Sequence, residues 1–298
     1  MEMKVRADCP ATLRDWRRMS LFALAVALLA SGAATADTPA GSSSPTAQLV
    51  EVLKGDGDYH QPPADDEIPN DKYGDDVRMG KRIFSETFRY ARRYAGNDMT
   101  CADCHRDAGR RPHAAPMWAA YGVYPMYRAR EDRSMTLAER IQSCFRFSLN
   151  GIAPALDAPE MRGLKAYMHF LARGVRVGEE LPGRRFPQIV RTDLEPSPTR
   201  GEDVYRNSCQ RCHASDGTGK RRPEGGFEVP PLWGAQSYNR GAGFARNEML
   251  AGFVMANMPP DKPWSLTDQQ AVDVAAFINL QIRPWDPRKG IIRGLFEQ

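Results

Sequence analysis

Two short runs, Cys101-Ala-Asp-Cys104-His105 and Cys209-Gln-Arg-Cys212-His213, constrain this chain more than anything else in it. A Cys-x-x-Cys-His run on a helical turn offers two thiols and one imidazole to a single haem, the pattern of covalent c-type attachment. A zinc or dithiol site could use such cysteines, but two copies, each with the following histidine, favour haem. Two covalently bound haem c groups are expected. Cys101, Cys104, Cys209 and Cys212 would be the thioether anchors, with His105 and His213 as the proximal iron ligands.

The N-terminus reads as an export signal. Lys4, Arg6, Arg14, Arg17 and Arg18 precede an apolar run from Leu21 to Ala30, and Ala34-Thr35-Ala36 offers small residues for cleavage. That run is too short to span a bilayer. Residues 1–36 are expected to be a signal peptide, leaving a soluble periplasmic chain without a membrane anchor. The formal charge is +4, and the leader carries five basic and three acidic residues. The mature chain is then close to neutral, which is no nucleic-acid signature.

The chain repeats a pattern around its two haem motifs. Asp76-Val77, Gly80 and Ile83-Phe84 lead to the first, and Gly201, Val204-Tyr205 and Cys209 open the second. Apolar residues three and four apart fit a helix packed on a haem edge. Each half also ends in an amphipathic stretch. Asp157 and Glu160 suggest a capping box ahead of Met161, Leu164, Met168 and Leu171, and Thr267 and Gln270 do the same ahead of Ala271, Val274, Ala275 and Ile278. The expected fold is all-α: two class I cytochrome c-like domains joined by a proline-rich linker. The boundaries are an N-terminal extension at 37–74, a first domain at 75–180, a linker at 181–200 and a second domain at 201–298.

The remaining iron positions decide the chemistry. In the second half, Met255-Ala-Asn-Met258-Pro259-Pro260 places Met258 before the last helix as the sixth ligand, ahead of Met255 and Met249. Thioether ligation raises a haem potential, which suits an electron exit. The first half has no Met-Pro element at the matching place. It has Cys144, the one cysteine left once the haem motifs and Cys9 of the leader are assigned. Thiolate is a strong modifier of haem iron, although a lone buried cysteine is more often packing. Met117, Met126, Met135 and His113 are the competing ligands. Seven arginines lie between Arg110 and Arg146, opposed by Glu131, Asp132 and Glu139. Most are expected to be solvated. Those turned toward the haem, with Arg130 and Arg140 the leading candidates, would lower the Cys144 pKa and attract a small dianion.

Several of these stretches resemble the dihaem thiosulfate dehydrogenases: Cys104-His105 through Arg110-Arg111-Pro112, Ala114 through Pro125 with Tyr127-Arg128, Glu139 through Phe145, and Asn150-Gly151. The similarity continues into Pro231-Leu232-Trp233-Gly234 and Gly241-Ala242-Gly243. The resemblance implies oxidative coupling of two thiosulfates to tetrathionate, or its reverse, at a haem held by His105 and Cys144. It assigns substrate handling to Arg130 and Arg140, with Ser148 beside them. Electrons would leave through the second haem to a soluble c-type cytochrome or similar carrier. Family members often carry methionine or lysine soon after the Gly-Ala-Gly, where this chain has Phe244. Ligand exchange at the second haem is therefore not implied here. Two roles stay open for Cys144: leaving the iron to carry a sulfur adduct, or tuning the haem while coupling occurs nearby.

Two rival readings remain. A Sox-type cytochrome A subunit would need an additional active cysteine in the C-terminal half, where Cys209 and Cys212 are both consumed by attachment. A dihaem electron carrier without catalysis would use His113 as a ligand and the arginines as a docking face.

Overall fold

The computed structural model describes residues 58–129, 131–189 and 192–289. The expected leader, most of the N-terminal extension and Arg130 lie outside these. Helix α1 (Lys72–Ser85) starts where the Asp71 carboxylate accepts the Gly74 N–H at 2.8 Å, satisfying one of the helix's free donors. It crosses α3 (Pro159–Leu171), and between them Val77, Ile83, Phe84, Met161, Leu164 and Leu171 are all fully buried. Gly80 marks the crossing. A Cβ there would stand 2.0 Å from the Gly163 carbonyl oxygen, so only glycine lets the two backbones meet.

The second half repeats this geometry. Helix α4 (Pro198–Val204), capped by Ser197, meets α6 (Asp268–Leu280) at Gly201, whose absent Cβ would lie 2.0 Å from the Asp273 carbonyl. Ala271, Val274, Ala275 and Ile278 face inward against Tyr205 and against Leu250 and Val254 of α5 (Asn247–Asn257). The repeated glycines of the sequence are thus the contact points of two equivalent helix pairs. Replacing Gly80 with alanine should cost about 1–3 kcal/mol, despite alanine's better helix propensity, because the crossing must open. Thermal unfolding checks this, and an unchanged or higher melting temperature would contradict the close approach.

One helix start differs from expectation. The Thr267–Gln270 capping box forms, with Gln270 N–H on Thr267 Oγ1 at 3.2 Å and Thr267 N–H on Gln270 Oε1 at 2.9 Å. Its Asp157–Glu160 counterpart does not. Helix α3 begins at Pro159, with Ala158 as its N-cap and no side-chain cap, and Arg93 donates to Glu160 Oε1 at 2.7 Å instead. Proline already suits the first helical position, where an N–H would have had no partner.

Two small antiparallel strand pairs supplement the helices. Strand β1 (Met126–Arg128) pairs with β2 (Arg133–Met135), and β3 (Lys220–Arg221) pairs with β4 (Phe227–Val229). The start of the proline-rich linker packs on the second half. Phe186 packs on Phe244 and Phe253, and the Pro187 carbonyl would meet a Cβ on Gly252 at 2.1 Å.

Buried side-chain amides join the two halves. Asn97 Nδ2 donates to the Ser148 and Ser237 carbonyls, and Asn239 Nδ2 donates to the Arg146 carbonyl and Asn150 Oδ1. Phe227 of β4 enters the hydrophobic core of the first half. No helix among the described residues is long and apolar enough to cross a membrane.

Candidate haem sites

The first motif begins as a helical turn, Cys101–Cys104, whose preceding Thr100 N–H donates to Asp103 Oδ2 at 2.7 Å. The His105 Nδ1 group donates to the Ala115 carbonyl at 2.8 Å. In the second motif His213 Nδ1 donates to the Pro230 carbonyl at 2.9 Å, and burial lowers its pKa, favouring neutral imidazole. Both bonds set the same tautomer and leave an Nε2 lone pair available to a metal.

Cys144 follows α2 (Leu137–Ser143) and opens a π turn, Cys144–Ser148. Such wide turns occur mostly as single insertions in helices, frequently at functional sites. A capping box at Thr136 and Glu139 holds the helix start, with the Glu139 carboxylate accepting the Thr136 N–H at 2.7 Å. The Cys144 thiol lies within hydrogen-bonding reach of the His105 ring. Burial alone would push this thiol up. Arg140, helped by His105 and Arg128, more than offsets burial and holds it at about 7, below its ordinary 9.0. Cys101 and Cys209 move the opposite way, to about 12 and about 11, because burial prevails there.

Arg140 lies four residues before Cys144, one helical turn away on the same face. It donates a hydrogen bond to the Tyr124 phenol, and its charge is favoured chiefly by the Cys144 sulfur. Tyr124 and Arg128 are site residues that sequence reasoning did not single out. For Arg128 a signal existed: it is one of the seven arginines of the basic stretch and ends strand β1. Tyr124 carried no such mark. Ser148 closes the π turn, and its carbonyl accepts from Asn97 at 3.3 Å. Arg110 and Arg133 are engaged elsewhere, with Asp65 at 3.0 Å and Glu139 at 2.6 Å. His113, the rival ligand, is tied to the Tyr59 hydroxyl at 3.0 Å and lies edge-on to Trp264.

The second motif borders a mainly apolar pocket lined by Cys209, Cys212, His213 and Met258. Met258 follows α5 and its N–H donates to Val254 at 2.8 Å, which fixes its backbone at the cavity edge. Met255 is instead packed in the core. Met99, Asp103 and Cys104 of the first half also line this cavity. Asp103 is pushed up to about 6 by burial, against the Thr100 N–H, Arg106 and Arg222.

Among the described residues, no group of three or more His, Cys, Asp or Glu gathers to hold a bare metal ion. Haem asks for less, because the porphyrin supplies the equatorial ligands and the protein only the axial ones. A pocket that is apolar and bordered by two thiols, an imidazole nitrogen and a thioether has the donor set a c-type haem needs.

These features define a c-type cytochrome. The SoxA/TsdA cytochrome c domain family matches residues 88–177, and the cytochrome c oxidase cbb3-type subunit III family matches residues 196–278, so the chain carries covalently bound haem c. It belongs to the thiosulfate dehydrogenase family. It is 42% identical over 246 residues to the thiosulfate dehydrogenase of Stutzerimonas stutzeri, covering 82% of this chain and 79% of that one. With the thiosulfate dehydrogenase of Thiomonas intermedia it shares 40% identity over 270 residues, covering 91% and 86%. Among solved structures it is similar to the thiosulfate dehydrogenase TsdBA of Marichromatium purpuratum, with a TM-score of 0.75 and 40% identity. That match covers 78% of this chain and 51% of the other, so this chain spans about half the length of that protein.

Proposed function

We propose that this chain is a periplasmic dihaem enzyme that couples two thiosulfates to tetrathionate, releasing two electrons, and that the same site accelerates the reverse reduction. One haem would be anchored by Cys101 and Cys104 with His105 and Cys144 as axial ligands, the other by Cys209 and Cys212 with His213 and Met258. Bound there, these groups supply one-electron acceptors and a path to a soluble c-type cytochrome. One observation carries the reading: Cys144 interacts with the His105 imidazole, and Arg140 holds its thiol at about 7 despite burial.

The residues around Cys144 suit a sulfur dianion. Arg140 offers a planar fork of N–H donors to sulfonate oxygens, and Arg128 adds a second positive charge. The chief obstacle to joining two dianions is their mutual repulsion, and fixed guanidinium charge offsets it in both the encounter and the transition state. Tyr124 engages Arg140 and so restricts its orientation. Arg130, two residues after Arg128 in sequence, would add positive charge, and Ser148 would contribute a hydroxyl beside Cys144.

The shared wall made by Met99, Asp103 and Cys104 favours electron passage between the halves, because a residue of the first attachment motif borders the second cavity. The test is direct. The dihaem protein, given thiosulfate and an artificial electron acceptor, should form one tetrathionate for every two electrons accepted. Acceptor reduction without tetrathionate, or none at all, would leave the simple electron carrier as the better reading.

A further inference from the structure

Arg283 is a buried cation with no counter-ion. Only 5% of it is exposed, and it takes part in no ion pair among the described residues. Its Nη2 donates to the Ile278 carbonyl at 2.6 Å, while Nε and Nη1 have no hydrogen-bond partner among the described residues. The neighbouring carboxylate, Asp286, is held by Arg288, with Nε of Arg288 on Oδ1 at 2.9 Å. The guanidinium stacks 4.3 Å from the ring centre of Tyr238, itself 3% exposed, whose buried hydroxyl has only this guanidinium close to it among the described residues. Tyr238 lines the cavity that holds Cys209, Cys212, His213 and Met258. A buried unpaired cation is strongly disfavoured, so an anion belongs beside it.

We propose that Arg283 and Tyr238 form a carboxylate-binding site that anchors a propionate of the second haem. The attachment cysteines fix one edge of the porphyrin, and the two propionates project from the edge away from its thioether bonds. The anion therefore arrives with the cofactor. Two free guanidinium N–H groups and one phenol O–H are the donors a carboxylate accepts, and a planar fork suits it better than a point charge. The rest of the cavity wall is mainly apolar and includes Leu250, Phe253 and Val254. An orphan cation stacked on Tyr238, a residue of that wall, fits a ligand that is apolar over most of its surface and anionic at one edge. This rests on the reading that the second motif carries haem. A haemochrome count of one haem per chain would sink that reading separately, whatever the variants show.

The experiment uses the loaded dihaem protein and three variants: Arg283→Gln, Arg283→Lys and Tyr238→Phe. Removing positive charge near the iron stabilises the ferric form. In Arg283→Gln, one haem should therefore show a roughly tenfold lower ferrous-to-ferric ratio at a fixed potential. The haem propionate bending band in resonance Raman should move with it. Tyr238→Phe, which removes a single oxygen, should shift both readouts less and in the same direction, and Arg283→Lys should keep most of the wild-type ratio. The affected haem should be the one bearing the thioether-to-iron charge-transfer band. A lower melting temperature with both potentials and the Raman band unchanged would leave Arg283 a packing role only and overturn the proposal. A shift confined to the thiolate-ligated haem would overturn the assignment to the second cavity. A potential shift that follows chloride or thiosulfate concentration, with the Raman band still, would mean a free anion occupies the site instead. Should Arg283→Gln fail to fold, the Tyr238→Phe and Arg283→Lys pair decides on the same readouts.

Discussion

Replacing Cys144 with glycine should leave both haems attached and lower thiosulfate turnover at least about a hundredfold. That is the scale of losing one functional group at a reacting centre. Attachment depends on Cys101, Cys104 and His105, which lie on a different segment from the π turn Cys144–Ser148. The change also removes the one thiol in this region that its surroundings make acidic. Two readouts separate the possible roles. Haem content and melting temperature report whether the fold survives, and the low-spin thiolate signal in EPR reports ligation. Full turnover in a protein that has lost that signal would show that sulfur at 144 is a bystander.

The second large effect is expected at Arg140. Its replacement by methionine removes the main influence that offsets burial at Cys144, so the thiol should move up toward the values of its buried neighbours. On the proposed function it would also remove charge-assisted hydrogen bonds to the substrate, worth about 1.5–3 kcal/mol each. Together these predict a kcat/KM for thiosulfate about a hundredfold lower, with much of the loss in KM. Lysine restores charge but not the planar fork, so Arg140→Lys should recover only part of the loss. Tyr124→Phe leaves the guanidinium in place without its phenol partner and should cost no more than about tenfold. Steady-state kinetics across thiosulfate concentration distinguish the three. Equal kinetics for wild type and Arg140→Met would remove the arginine from the site.

The parts of this molecule that are legible in sequence are those whose chemistry or periodicity is local. The haem motifs are contiguous runs, and the stripes Met161–Leu164–Met168–Leu171 and Ala271–Val274–Ala275–Ile278 follow the helical repeat and are buried. Cys144 emerges by elimination. What sequence leaves hidden depends on distant partners. Glu160 meets Arg93 rather than capping its own helix, 67 residues away along the chain. Tyr124 matters only because α2 brings Arg140 to it. Asn97 and Asn239 resemble ordinary surface amides until the two halves close over them. Arg283 gives no sign of its missing counter-charge, since that is a property of the finished interior.

The wall formed by Met99, Asp103 and Cys104 has a consequence for how such a molecule can evolve. Residues of the first attachment motif form part of the second motif's pocket, so a side-chain change there would be felt in both halves. The halves cannot be exchanged among relatives like interchangeable modules. A C-terminal half grafted onto a foreign partner would face solvent through an unfinished side, and its redox behaviour would follow the substitute that covered it.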